Sequence, residues 1–315
     1  MNRIALGRNL IGIAIAIVVV ATGFAIAEPS NRDFGALLEV LRISSVNAIL
    51  ATGMTLLLAS GGIDLSVGSV LALSAVAMAF ATDYAGERAR TDIFISLFPA
   101  LAGIVVGAGC GAVNGALVVF GRIPPFLVTL GCLLVARGAV YNFLGASSMS
   151  GIPAVFREIG RTPGGAAAAA GIITILGLLI LTQTTFGRKL LAIGGNEESA
   201  RLAGIAVGKV KMYSYITSGI AAGIAGGVLA GRTGVVTNTD GDGYELDAIA
   251  ATVIGGTSLQ GGRASMVGTL LGAVLLGIVR FGLQSVQAPA GTQKIVSGVI
   301  ILIPALVDGV RRTKK

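Results

Sequence analysis

From Leu10 to Ala27 the chain runs eighteen residues without a charge, about 27 Å as a helix against a bilayer core of roughly 30 Å. Nine further apolar runs follow, over about 36–59, 63–82, 94–120, 125–144, 166–185, 211–231, 246–256, 264–284 and 293–310. A backbone surrounded by lipid must satisfy its own polar groups, so such runs fold as helices. The fold class expected is therefore all-α: a polytopic membrane protein with about ten transmembrane segments in a single domain over 1–315. The run at 246–256 is too short to cross alone. It predicts a half-helix or re-entrant piece, which is tolerated only where protein or a water-filled cavity covers it.

Composition agrees. Charged residues make up 12% of the chain and mean hydropathy is +0.88, where soluble chains carry about 25% charge. Histidine is absent, which removes the commonest general base and metal ligand. Cys110 and Cys132 both lie in apolar runs without CxxC spacing, so no metal site and no disulfide framework is expected. The basic start and the small-residue "AIA" at 25–27 resemble a cleavable signal, but the apolar run is longer than a usual signal core, and an uncleaved first span is expected.

Charge sets the direction. With both termini in the cytoplasm, thirteen lysines and arginines fall on that side, from Arg3 and Arg8 to Lys314 and Lys315, against eight outside, Arg90 among them. The net charge of +8 then follows from topology and calls for no nucleic-acid partner. The outer side collects most of the acids, including Asp240, Asp242, Glu245 and Asp247, which read as a solvated face or a docking surface.

Two spans carry glycine every fourth residue: Gly103, Gly107, Gly111 and Gly115 in the fourth, and Gly219, Gly223, Gly227 and Gly231 in the seventh. Each set lies on one helix face, where backbones can approach closely, and reads as a helix-packing seam. Polar groups inside spans are few. Asn47 and Thr55 in the second span and Asn114 in the fourth are candidates for a translocation pathway, while Arg137 and Arg280 can equally snorkel or pair.

At "SGGIDLSVG" a glycine pair separates the second and third spans on the cytoplasmic side. Asp64 can cap the third span by accepting from the N–H of Ser66 or Val67, where the helix dipole favours a negative charge. Asp64 and Ser66 are also gate candidates. A similar break at "GGTSLQGG" offers Thr257 and Ser258, again on the cytoplasmic side. Between spans six and seven, "NEESARLAGI" reads as a short amphipathic helix that Asn196 can cap, with Glu197 and Glu198 in its first turn and Leu202 and Ile205 on one face.

Three stretches, "NAILATGMTLLLASGGIDLSVGSVLALSAV", "GRKLLAIGGNEESARLAGIAVGKVK" and "GYELDAIAATVIGGTSLQGGRASMVGTLLGAVLLGIV", resemble the permease subunit of bacterial ABC importers of the ribose, xylose and galactose type, collinearly from about 38 to 310. The resemblance implies an inner-membrane protein that works with a second permease subunit, expected to be another copy, with cytosolic ABC ATPases and with a periplasmic sugar-binding protein. It makes 186–211 the loop that engages the ATPase, with Gly194, Gly195, Asn196, Glu197, Arg201 and Gly204 as coupling residues, and Glu197 and Arg201 as the contact. Residues 1–35 and 146–170 follow no pattern of that family.

No G-x-x-x-x-G-K-[ST] phosphate loop is present, so the chain is not expected to be an enzyme. ATP and magnesium belong to the partner, and no catalytic residue, cofactor or metal is assigned here. The cargo expected is a monosaccharide or similar small polyol. Two other classes fit an all-helical membrane chain: an ion-gradient-driven secondary transporter of a small neutral solute, and a passive channel or scaffold.

Overall fold

The computed structural model describes residues 3–88 and 92–312. Arg90, Lys314 and Lys315, part of the charge count above, lie outside them. Among the described residues there are thirteen α-helices: α1 Arg3–Ala27, α2 Phe34–Ala59, α3 Val67–Arg88, α4 Asp92–Val119, α5 Pro125–Leu144, α6 Ala154–Arg161, α7 Pro163–Gln183, α8 Thr185–Gly195, α9 Glu197–Leu202, α10 Val207–Thr233, α11 Tyr244–Ile254, α12 Met266–Ser285 and α13 Ala290–Arg312. Each of the ten expected segments coincides with one of these. Eight (α1 to α5, α7, α10 and α12) are long and apolar enough to cross a bilayer. α13, at 23 residues, has the length as well. α11 has 11 residues, about half a crossing, and an irregular stretch from Gly255 to Ser265 completes its path to the inner end.

Three small helices lie off the spans. α6 falls in the region without a family pattern, at the outer end. α8 and α9 make most of the 186–211 connection helical. Thr184 caps α8 by accepting from Gly187 N (3.1 Å), and Asn196 caps α9 by accepting from Ser199 N (2.8 Å).

Burial sorts the spans. α10 is the most enclosed, α2 and α3 follow, and α1 is almost wholly exposed. α10 packs on α4, α2, α3 and α6, while α2 also receives α12, α7 and α11, and α1 lies against α12. The α4–α10 seam is glycine against glycine: a Cβ on Gly107 would strike the Gly219 carbonyl, and one on Gly219 would strike the Gly107 carbonyl. Gly111 and Gly115 extend it along Tyr215 and Met212, and Gly223 lies against Ile104 and Gly103. Gly103 itself faces Met78 and the Ser74 carbonyl of α3. The last two glycines of α10 serve another neighbour, since Gly227 meets the Phe156 ring and Gly231 the Phe156 carbonyl of α6. Backbones this close gain dispersion contacts that any side chain would forbid.

Candidate translocation and coupling site

The break after α2 begins where Ser60 closes the helix and Gly61 turns at φ +78°, a conformation open to glycine without strain. Asp64 follows, 1% exposed. Its Oδ1 accepts from Ser66 N (2.9 Å) and Ser66 Oγ (2.6 Å), so it steadies the start of α3 as its position suggests. Two distant helices add donors: Asn114 Nδ2 on α4 reaches Oδ1 (3.4 Å) and Ser66 Oγ (2.9 Å), and Ser218 Oγ on α10 reaches Oδ2 (3.3 Å). Asp64 thus sits fully enclosed among neutral donors, at the crossing of α3, α4 and α10. Among the described residues it has no cationic partner.

The other pathway candidates do not join this cluster. Thr55 Oγ1 lies 2.7 Å from Thr269 Oγ1, tying α2 to α12. Thr257 Oγ1 accepts from Ser265 N (3.2 Å), and Ser258 Oγ accepts from Gln260 N (3.3 Å), so both shape the second break from within. Asn47, on α2, is 2% exposed. Its Oδ1 is buried without a partner.

Asp247 corrects the reading of the outer acids as a uniformly solvated face. It is buried, and Arg280 of α12 donates to it at 2.7 Å. The same guanidinium lies 4.9 Å from the centre of the Tyr244 ring. A carboxylate three residues into a membrane half-helix needs such a partner, and the i, i+3 relation of Tyr244 and Asp247 lets one arginine serve both. Arg137 also pairs: it binds Asp242 (2.8 Å) and the carbonyls of Asn238 and Asp240, pinning the 234–243 loop to α5.

At the inner end three glycine breaks converge. Gly262 N donates to the Ala59 carbonyl at the end of α2 (3.1 Å). A Cβ on Gly194 would strike that carbonyl, Gly262 N and Gly261 Cα; one on Gly261 would lie 2.7 Å from both Gly61 N and Gly194 Cα. Gly262 touches Gly195 in the same way. The end of α8 therefore rests, backbone on backbone, on both broken regions. Around it Leu56, Leu181, Leu190, Ile193, Ala200, Val210 and Met266 form a separate apolar cluster that seats α8 and α9 on the ends of α2, α7, α10 and α12.

α9 is stapled by charge. Glu197 accepts from Lys211 of α10 (2.5 Å) and Arg201 (3.2 Å). The hydrogen bond from Lys211 holds the Glu197 carboxyl below its usual range. Leu202 is 81% exposed, while Ile205 packs against the apolar cluster, so the two do not share one environment. Gly204 ends the unit at φ +81°. Among the described residues no three acids or cysteines converge as a metal site would require.

Sequence reasoning missed Ser218, the Asp247–Arg280 pair and the meeting of the two breaks. The first two depend on partners 154 and 33 residues away. No local pattern carries them.

The family model described as "Branched-chain amino acid transport system / permease component" matches residues 36–305. Among similar proteins, the ribose import permease protein RbsC of Escherichia coli K12 is 38% identical, over 96% of this chain and 92% of its own. RbsC of Bacillus subtilis 168 is 36% identical over 95% and 91%. The galactose/methyl galactoside import permease protein MglC of Escherichia coli K12 is 31% identical over 96% and 95%. No solved structure matches the chain significantly. Matched along nearly its whole length by both the model and the relatives, the chain belongs to this family of permease components, as a multi-pass protein of the inner membrane.

Proposed function

We infer that the chain is the membrane-spanning subunit of an ATP-driven importer and passes a monosaccharide or similar small polyol inward, received from a periplasmic binding protein. The names of the relatives, import permeases for ribose and for galactose and methyl galactoside, support the solute class. Hydrolysis of ATP with magnesium falls to a cytosolic ABC ATPase, and a second copy of the chain completes the passage. The observation that carries the reading is the seating of α8 directly on the backbones of both glycine breaks. A push on α9 passes through Asn196 to the end of α8, where Gly194 and Gly195 meet the breaks with no side chain between. It reaches the α2–α3 break, whose Asp64 network touches α4 and α10, and the α11–α12 break, whose half-helix carries Asp247. Interfaces this tightly packed move between discrete arrangements, which suits alternating access.

The contact for the ATPase is the exposed surface of α9: Arg201 and Leu202, with Glu197 holding the helix in place. Reconstituted with its ATPase and binding protein, the Glu197→Lys plus Arg201→Glu variant should insert normally and lose most ATP-dependent uptake. Unaltered uptake would remove this contact from the mechanism.

Asp64, enclosed by neutral donors in a broken region, favours one rival: a secondary transporter coupled to an ion gradient. Uptake that persists without ATP and collapses with the proton or sodium gradient would select it. Solute flow at full rate with neither energy source would select a passive channel.

A further inference from the structure

The stretch from Gly61 to Gly68 joins the inner junction to the outer loop. Gly61 lies against Gln260 and Gly261 of the second break, whereas a Cβ on Gly68 would strike the Gly241 carbonyl of the 234–243 loop and the Glu245 carboxylate of α11. Between them stands Asp64, the only ionisable side chain from Ile43 to Thr82. The hydrogens around it are unevenly placed. Oδ1 takes Ser66 N, Asn114 Nδ2 and Ser66 Oγ, which itself accepts from Asn114 and gives its one hydrogen here. Among the described residues Oδ2 has Ser218 Oγ alone, and a hydroxyl serves as donor or as acceptor. No positive charge offsets the carboxyl. The ionisable groups within its field are Tyr215 of α10, Cys110 of α4 and Cys132 of α5, all neutral near pH 7. Tyr215 spends its hydroxyl on the Ile63 carbonyl (3.4 Å), and Lys211, one turn earlier on α10, is held by Glu197. A carboxylate taken out of water without a counter-charge is costly enough that the group keeps its proton instead.

We propose that in the closed break Asp64 is held as the neutral acid, its proton on Oδ2 and donated to Ser218 Oγ, and that this proton latches the start of α3 to α10. Oδ1, filled by three donors, has no room for it. When the break parts and water enters, the acid ionises by giving its proton to that water. The charged form does not re-enter the enclosure until a proton returns from water. Closure therefore takes up one proton and opening releases it, so rising pH favours the open break. The same turn of α3 carries Gly68 against Gly241, and releasing the latch frees this contact between the broken segment and the outer loop. The device belongs to this chain and works in the same way whatever drives transport.

Magic-angle-spinning NMR of the full-length permease in lipid bilayers, with aspartate labelled at the side-chain carboxyl carbon, reads the proton directly. The Asp64 resonance, assigned by its loss in Asp64→Asn, should have the shift of a carboxylic acid at neutral pH, while the exposed Asp242 has that of a carboxylate. A carboxylate shift for Asp64 at neutral pH overturns the proposal. Hydrogen exchange reads the latch. Corrected for intrinsic rates, protection of the first-turn amides of α3 should fall about tenfold per pH unit from about pH 4, where a hydrated aspartate titrates, up to the pH at which the enclosed acid itself titrates. Asp64→Asn puts an amide N–H where the proton stands and should keep the fold with protection that is flat across that range. Ser218→Ala removes the acceptor and should lower protection roughly fivefold at acid pH. Protection independent of pH in the parent chain, or an equal slope in Asp64→Asn, overturns the latch. Both measurements are made without nucleotide or solute, so their failure leaves the importer reading standing, and that reading fails separately on ATP-dependent uptake.

Discussion

The two ends of the molecule solve the same problem, a carboxylate buried among membrane helices, by opposite means. At the inner end Asp64 is surrounded by hydroxyl, amide and backbone donors, next to a junction built of bare glycine backbone. At the outer end Asp247 is answered by a full positive charge, and side chains leave a cavity open. The inner arrangement is stiff. Its glycine junction leaves no side chain to yield between the backbones, which suits the proposed transmission of force. The outer arrangement depends instead on long side chains, Arg280 and Arg232 among them, that meet across the cavity.

Breaking the outer pair should have the largest effect on stability. Arg280→Leu leaves Asp247 buried without its cation and should destabilise the protein by about 3 kcal/mol, the lower part of the range for stranded buried charges. Adding Asp247→Leu should restore most of the loss, since both ends of the pair are then apolar. A fluorogenic thiol dye reporting on the free Cys110 and Cys132 reads both melts. Recovery of less than half in the double variant would mean that the pair does more than neutralise itself.

At the inner end Gly194→Ala forces a methyl group onto the Ala59 carbonyl and Gly262 N, an overpacking defect of about 2 kcal/mol. Its sharper signature is functional: ATPase activity of the assembly should persist while sugar uptake per ATP falls. Equal coupling ratios in variant and parent would show that the junction is not a transmission.

Asp64→Asn keeps an acceptor oxygen for Ser66 but turns an amide nitrogen toward either Ser66 or Ser218. It should cost about 1 kcal/mol in the same dye assay, less than Arg280→Leu. A larger loss than at the outer end would reverse the comparison and make the negative charge of Asp64 the feature that matters.

The smallest effect is the pH dependence of the Glu197 staple. Its carboxyl titrates lower in the folded protein than in the unfolded chain. The stabilisation is therefore complete above the ordinary glutamate range and disappears as pH falls through the depressed folded value. Because the pair is half exposed, the change should amount to a few tenths of a kcal/mol. It should be visible as a drop in hydrogen-exchange protection of α9 at acid pH, and Glu197→Gln should abolish that dependence.

Much of this was legible before any coordinates. All ten segments, the shortness of α11 and the Asn196 and Asp64 caps follow from runs, breaks and cap residues within a few positions of one another. The glycine spacing marked the faces of α4 and α10 that pack, yet it did not tell that Gly227 and Gly231 receive α6 rather than a spanning helix. Arg280 stood out as a charge inside a span, facing what its sequence alone did not show. The cavity beside it takes five helices to enclose. Asp247 was misread as a surface acid since its neighbours Asp240 and Asp242 are loop residues, and only the fold turns one of the group inward.

By itself the sequence decided where the apolar helices lie and where they break, because lipid imposes those demands residue by residue along the chain. The tertiary structure alone decided which carboxylate meets a cation, which glycines touch and where a polar cavity opens. Small residues on many faces permit many seams, and only the simultaneous packing of all the helices selects one.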